Sequence, residues 1–314
     1  MNKEQKAGMI KRLVLFSWIA LPLVAFDYVD FDTSMRTDRY TAILEQGKNK
    51  RLLTFFKRVY ERCVTAGNTL TIQRIPLLMH HVWFGEPLND FFKQLRKTWI
   101  DAHEGWTFIL WTDRPTNDDQ AVIARSFQEL DELLASGCAQ RIVVLTDQLV
   151  FDNRCYFDAA RNYGERSDIL KWEIVYRYGG AYIDADFECY KSLGVLHYAF
   201  DFYTGLQPLD TGQVQLGAAL FAAYPQHPIL ERCVKDLRPG PGPIVIRTGP
   251  IHFTSACMRV IVDDRNVNIV LPAGYFYPCG YEEQELPASE WRTPDSYAVH
   301  HWSGSWLKPE AFAK

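Results

Sequence analysis

The stretch 179-GGAYIDADFECY-190 decides how this chain is read. Two glycines close a helical pattern, an apolar run with strand character follows, and the run ends on Asp184 and Asp186, one residue apart. Side chains alternate along a strand, so if the strand spans 181–186 both carboxylates point the same way, and Ala185 keeps the backbone close to anything they hold. Two unpaired carboxylates on one side repel and raise each other's pKa. A divalent cation between them removes the conflict, and oxygen ligands with water suit Mg²⁺ or Mn²⁺. The competing reading is a solvated strand end, because a D-x-D pair is common.

Upstream lies 167-SDILKWEIVYRY-178. Ser167 suits a helix N-cap. Leu170, Ile174 and Tyr178 form one apolar stripe at helical spacing, with Ile169, Trp172 and Tyr176 beside it. Gly179 suits the left-handed residue that ends such a helix. Further strands are expected at 77–84, 107–112, 141–146, 214–223 and 267–272, and helices at 89–102, 118–135, 227–237 and 250–262. This alternation is the mark of an α/β chain. Residues 40–64 read as a helical stem interrupted near Gly47, 65-TAGNTLT-71 as a boundary, and 238-RPGPGP-243 as a rigid surface loop. The expected organisation is an N-terminal hydrophobic segment (1–30), a stem (31–71) and one catalytic domain (72–314).

The 314 residues carry a net charge of -4, without a dense Lys/Arg block beyond the N-terminus, which speaks against a nucleic-acid partner. Seven cysteines without a C-x-x-C pair argue against a zinc ribbon or a thioredoxin-like motif, and there is no N-x-[ST] sequon. Lys3, Lys6, Lys11 and Arg12 precede 13-LVLFSWIALPLVAF-26, and Asp27, Asp30 and Asp32 follow. That asymmetry places the N-terminus on the cytoplasmic side of a membrane. As a helix the segment reaches only about 21 Å of the roughly 30 Å hydrocarbon core. The expectation is a short single-pass anchor, in the Golgi if the source is eukaryotic. A cleaved signal peptide, or an interfacial or packed helix on a soluble or peripheral cytoplasmic protein, are the alternatives.

The segment 167–193 closely resembles the D-x-D segment of the family 32 glycosyltransferases, which includes fungal mannosyltransferases and has relatives among the large clostridial glucosylating toxins. Other matches follow in family order: 75-IPLLMHHVWFG-85, 96-RKTWIDAHEGWTFILWTD-113, 222-AAYPQHPIL-230, 248-TGP-250, 271-LPAGYFYP-278 and 297-YAVHHWSGSW-306. The resemblance implies a single α/β/α nucleotide-sugar domain of the GT-A type with a mixed, mostly parallel sheet. It implies a retaining, metal-dependent transfer of a hexose from a UDP- or GDP-sugar to a glycan, lipid or protein acceptor. By the same resemblance Asp184 lies near ribose and sugar, Asp186 holds Mn²⁺ or Mg²⁺, Trp83 stacks on the nucleobase, and Asp168 contacts donor hydroxyls. Lys171 stands where many relatives have Arg, and a point charge does not replace a planar fork. His300 aligns with a family histidine as a third metal ligand, with His301 as its neighbouring rival, and Ser305 and Trp306 match positions that touch phosphate. His80 and His81 are expected to make structural hydrogen bonds. Two rival readings are an inactive sugar-nucleotide-binding scaffold of the same fold, and a metal-dependent phosphohydrolase. The second rival requires more carboxylates or histidines around two metals than the motifs supply.

Overall fold

A central strand with no room for side chains at its start organises the molecule. The computed structural model describes residues 26–66, 72–115, 118, 120–238, 240–263 and 265–304. Among them an eight-stranded sheet is formed by β1 (Leu78–Trp83), β2 (Thr107–Thr112), β3 (Val122–Ala124), β4 (Arg141–Leu145), β5 (Gly180–Ile183), β7 (Phe202–Leu206), β8 (Leu216–Ala223) and β9 (Asn268–Leu271). Its order is β3-β4-β2-β1-β5-β8-β7-β9, and β6 (Phe187–Cys189) pairs separately with β10 (Ala298–His300). The β3-β4-β2-β1-β5 half is parallel, and β8 runs antiparallel to both its neighbours. This is the α/β architecture that the alternating pattern predicts, with the mixed, mostly parallel sheet that the resemblance implies.

Gly180 opens β5 with φ at 88°, and a Cβ there would lie 2.6 Å from the carbonyl oxygen of Leu78 on β1. Gly179 has φ at 66°, and its Cβ would meet Pro225 at 2.7 Å. Only glycine fits at either position, for conformational and steric reasons together. All four residues of β5 are buried, as expected of a strand covered on both faces.

The helix Tyr163–Tyr178 leads into β5. It starts four residues earlier than the sequence predicts, because Asn162 rather than Ser167 caps it by accepting the amide of Glu165 at 2.8 Å. Trp172 is fully buried, stacks on Phe221 at 4.8 Å and donates its indole N–H to the carbonyl of Thr248 at 3.0 Å. Truncating a Trp so placed costs about 3–5 kcal/mol. That packing holds the helix against the sheet.

Three other departures from the sequence reading have physical causes. β5 ends at Ile183, so the two aspartates occupy a turn closed by a hydrogen bond from the Phe187 amide to the Asp184 carbonyl, 3.2 Å. The stretch 118–135 is not all helix: β3 comes first, and Ser126 caps a helix at Phe127–Ser136. β7 is a short strand with a register shift between Thr204 and Leu206, which blurs its alternation in sequence.

The helix Gly47–Ala66 lies against β9, where the Cys63 thiol donates to the Asn268 carbonyl at 3.3 Å. Phe26, Phe31 and Met35 are buried, and Arg36 forms an ion pair with Glu283. Residues 1–25, and with them nearly all of the hydrophobic segment 13–26, lie outside the described residues. Among the described residues no helix is long and apolar enough to cross a membrane.

Six histidines besides His300 are buried: His80, His81, His103, His197, His227 and His252. Burial pushes His80, His103 and His227 down to about 4 and His81 and His197 down to about 3. Each stays neutral in the folded chain while the unfolded chain takes up a proton below about 6.5. The sign follows: their contribution is complete above the unfolded value and is lost as pH falls toward the folded one, by at most about 1.4 kcal/mol per pH unit for each. The urea midpoint is therefore expected to fall steeply between about pH 6 and pH 4, with proton uptake on unfolding. A midpoint that stays level over that range would show that these imidazoles do not set acid stability.

Candidate metal and donor site

The site begins where β5 stops. In a sheet whose parallel strands all end along one edge, that edge collects the loops able to bind a ligand. Asp184 follows the last residue of β5, and Trp83 is the last residue of neighbouring β1. The carboxylate of Asp184 accepts the Tyr182 hydroxyl at 2.6 Å, and its backbone N–H donates to the Ala219 carbonyl at 2.8 Å. Burial raises Asp184 to about 6, helped by the charge of Asp186 and opposed chiefly by Lys171.

Asp186 is bound from a distant part of the sequence. Its Oδ1 lies 3.1 Å from Nε2 of His300, and its Oδ2 accepts both the amide of Ser303 at 2.9 Å and the Ser303 hydroxyl at 2.8 Å. Burial alone would raise this carboxyl, but the His300 charge and these hydrogen bonds outweigh it and hold the group below its usual value. His300 is displaced upward in turn: burial opposes its charge, and the two aspartates more than compensate. Hydrogen bonds to a charged carboxylate contribute about 1.5–3 kcal/mol each.

The β6–β10 ribbon brings these groups together, with His300 directly opposite Phe187 and stacked on its ring at 4.8 Å. After β10 the chain turns through Trp302, whose φ of 49° is rare for a bulky residue. Trp302 is held there by its indole N–H, which donates to the Cys279 carbonyl at 3.0 Å, and by edge contact with His300 at 4.3 Å. The turn is what lets Ser303 reach back to Asp186.

Asp184, Asp186 and His300 each offer a ligand atom, and those atoms lie within 4.8 Å of one another. Two carboxylates and one imidazole are a donor set suited to Mn²⁺ or Mg²⁺, and a cation would offset the burial and the neighbouring Asp186 charge that hold Asp184 high. The residues present fit a divalent ion. His301 is placed differently: its Nε2 lies 3.0 Å from Oε2 of Glu188, outside the cluster. Between the two neighbouring histidines, the geometry selects His300.

Lys171 and Asp168 sit one layer deeper. The Lys171 ammonium is 2% exposed, meets Asp168 Oδ1 at 2.5 Å, and lies over the rings of Trp172 and Tyr182 at 5.0 and 5.3 Å. Asp168 Oδ2 accepts the hydroxyl of Thr248 at 3.0 Å. Lys171 thus balances carboxylates on both sides, bound to Asp168 and acting at longer range on Asp184. Trp83 is half-buried, donates its indole N–H to the Glu86 carbonyl at 2.6 Å and packs on Phe92 at 4.5 Å. His80 and His81 bond the Gly179 and Ile183 carbonyls, both at 2.9 Å, as structural groups. Ser305 and Trp306 lie outside the described residues.

Tyr182, Thr248 and Ser303 are site residues that sequence reasoning did not assign. Ser303 and Thr248 stand inside quoted motifs, but which hydroxyl turns inward depends on the backbone after His300 and on the packing of 244–249. Only the parity of Tyr182 with Asp184 along a strand could have signalled their contact.

Residues 89–202, which include both aspartates, match the family model described as the glycosyltransferase sugar-binding region containing DXD motif. The match covers a little over a third of the chain. The matched family is the one its ordered motifs resemble. Inositol phosphoceramide mannosyltransferase 2 of Schizosaccharomyces pombe is 24% identical to the DXD chain over 191 residues, 57% of this chain and 45% of that protein. Mannosyl phosphorylinositol ceramide synthase SUR1 of Saccharomyces cerevisiae is 24% identical over 169 residues, 53% of this chain and 35% of that protein. The matches thus span less than half the length of these relatives. Among solved structures, PaToxG glycosyltransferase superposes with a TM-score of 0.47 at 16% identity, covering 68% of this chain and 78% of that one.

Calorimetric titration of Mn²⁺ into the protein tests the ligand assignment. His300→Ala and Ser303→Ala are each expected to weaken binding on the order of 10 to 100-fold, as loss of a ligand or its support does. His301→Ala should leave it nearly unchanged. The reverse ranking of His300 and His301 would move the ligand to His301.

Proposed function

We propose that this chain is a retaining, metal-dependent glycosyltransferase that moves a hexose from a UDP- or GDP-sugar to a lipid or glycan acceptor. The observation that carries the reading is the convergence of Asp184, Asp186 and His300 at the sheet edge, inside a region that matches the DXD family. A bound divalent cation would supply positive charge to the leaving diphosphate as the glycosidic bond breaks.

The chain's own residues do the placing. Asp186 and His300 hold the ion, and Ser303 keeps the Asp186 carboxylate ionised and oriented toward it. Asp184, fixed by Tyr182, faces the ribose and sugar side. Asp168, anchored by Lys171 and Thr248, presents its remaining lone pairs to donor hydroxyls. Trp83 offers a ring face at the strand edge for the base, a contact that contributes about 1–3 kcal/mol in other nucleotide-binding proteins.

Three relatives are named inositol phosphoceramide mannosyltransferase, which favours mannose as the sugar and a phosphate-bearing lipid as the acceptor. Association with a membrane through residues 13–26 fits such an acceptor. The inactive-scaffold reading is disfavoured, since both members of the D-x-D pair are present and lie with His300 within 4.8 Å of one another.

The test is slow donor hydrolysis without acceptor, screened over GDP-mannose and a panel of UDP-sugars. Turnover of one donor is expected, silenced by chelator and restored by Mn²⁺ or Mg²⁺. Asp186→Asn should reduce it at least a hundredfold without changing the thermal midpoint by more than a few degrees. Full turnover in excess chelator would refute metal dependence, and no turnover of any donor would favour the scaffold.

A further inference from the structure

A cavity of about 580 Å³ opens at the far end of the β6–β10 ribbon. It is lined by Tyr190, Lys191, Ser289, Arg292, Thr293 and Ser296 among others, and no carboxylate faces it. The Arg292 guanidinium lies flat over the Tyr190 ring, 3.7 Å from its centre. Stacking of this kind holds the plane of an arginine and leaves the N–H edge free for a planar or tetrahedral anion. Lys191 is tethered through its ammonium to the Pro294 carbonyl and lies over the Tyr297 ring at 5.3 Å. Neither cation forms an ion pair with a described carboxylate.

The frame around these cations is rigid. The amides of Tyr190 and Lys191 both donate to the Tyr297 carbonyl, at 2.8 and 3.1 Å. The buried Ser296 hydroxyl donates to the Gly274 carbonyl at 3.0 Å, and Ser296 and Thr293 exchange further hydrogen bonds. Two unneutralised cations beside hydroxyl groups on a fixed loop are the chemistry of a phosphate site.

The cavity is connected to the catalytic cluster by a single strand. Asp186 immediately precedes β6 and Tyr190 immediately follows it, and the Glu188 charge acts on Tyr190. Four residues of extended chain separate the cluster from the cavity by about 13 Å. A molecule reaching from one to the other would run along the Glu188–His301 pair.

We infer that the Arg292–Lys191 cavity is an anion subsite that takes the phosphate of the acceptor. This rests on the transferase reading for the source of the phosphate, though not for phosphate binding itself. The site thereby selects acceptors that carry a phosphate some distance from the hydroxyl that receives the sugar.

Calorimetry on the full chain, with inorganic phosphate in one arm and glycerophosphoinositol in the other, tests this without donor or metal. Both are expected to bind and to compete. Arg292→Gln and Lys191→Gln should each weaken them on the order of tenfold, the loss of one charge-assisted contact, while Lys93→Gln on a distant surface should not. In transfer assays Arg292→Gln should raise KM for a phosphorylated acceptor by a similar factor and leave donor hydrolysis unchanged. Binding of inorganic phosphate alone would keep the subsite but refute the acceptor as its source. Absence of binding in the wild type, or equal affinity in wild type and both glutamine variants, would overturn the proposal. If wild-type protein bound phosphate but hydrolysed no donor, only the transferase reading would fail.

Discussion

The carboxylate of Asp186 is where two separately built parts of the molecule meet. One oxygen faces His300, and the other takes both the amide and the hydroxyl of Ser303. Those partners come from a chain segment that is not hydrogen-bonded into the main sheet, so their position depends on this contact and on the ribbon leading to it. A charged group buried without such partners would shift its pKa and neutralise. Here its partners keep it anionic, which is the state a metal ligand requires.

The contrast between the two aspartates shows how environment divides roles between like residues. Both are taken out of water, yet Asp184 rises to about 6 and Asp186 falls below its usual value. Asp184 has a single phenol and a more distant ammonium; Asp186 has an imidazole and two donors from serine. Lys171 belongs to the same electrostatic unit although it points away from solvent, since its charge offsets carboxylates on two sides. An arginine in its place would put a wider, planar fork between the Tyr182 ring and Asp168, and would change both contacts.

Much of this was legible in sequence because local rules and tertiary demands agree there. The glycine pair, the apolar run and the two aspartates announced a helix, a buried strand and a carboxylate pair in that order. The strand nevertheless stops three residues early, and the carboxylates converge through a turn rather than through the pleat. Helical periodicity could not place the start of the preceding helix, because Asn162 and Ser167 are both competent caps and only packing chooses between them. The choice between His300 and His301 was likewise closed by tertiary contacts: one ring stacks on Phe187 and the other finds Glu188. No spacing rule encodes which of two neighbours faces inward just before a left-handed residue.

The separation of Asp186 from His300 along the chain, 114 residues, bears on how the protein matures. Contacts so distant in sequence form late, after closure of the loops between them. The strands from β1 to β5 and the first aspartate are all synthesised before the segment that completes the site. A chain synthesised only as far as β8 therefore has most of its sheet and lacks the His300 that completes the Asp184–Asp186–His300 cluster. Proteolytic clipping ahead of β10 would return a finished molecule to the same condition. Closure of the Asp184–Asp186–His300 cluster is in this way conditional on the ribbon strand Ala298–His300 and the turn after it.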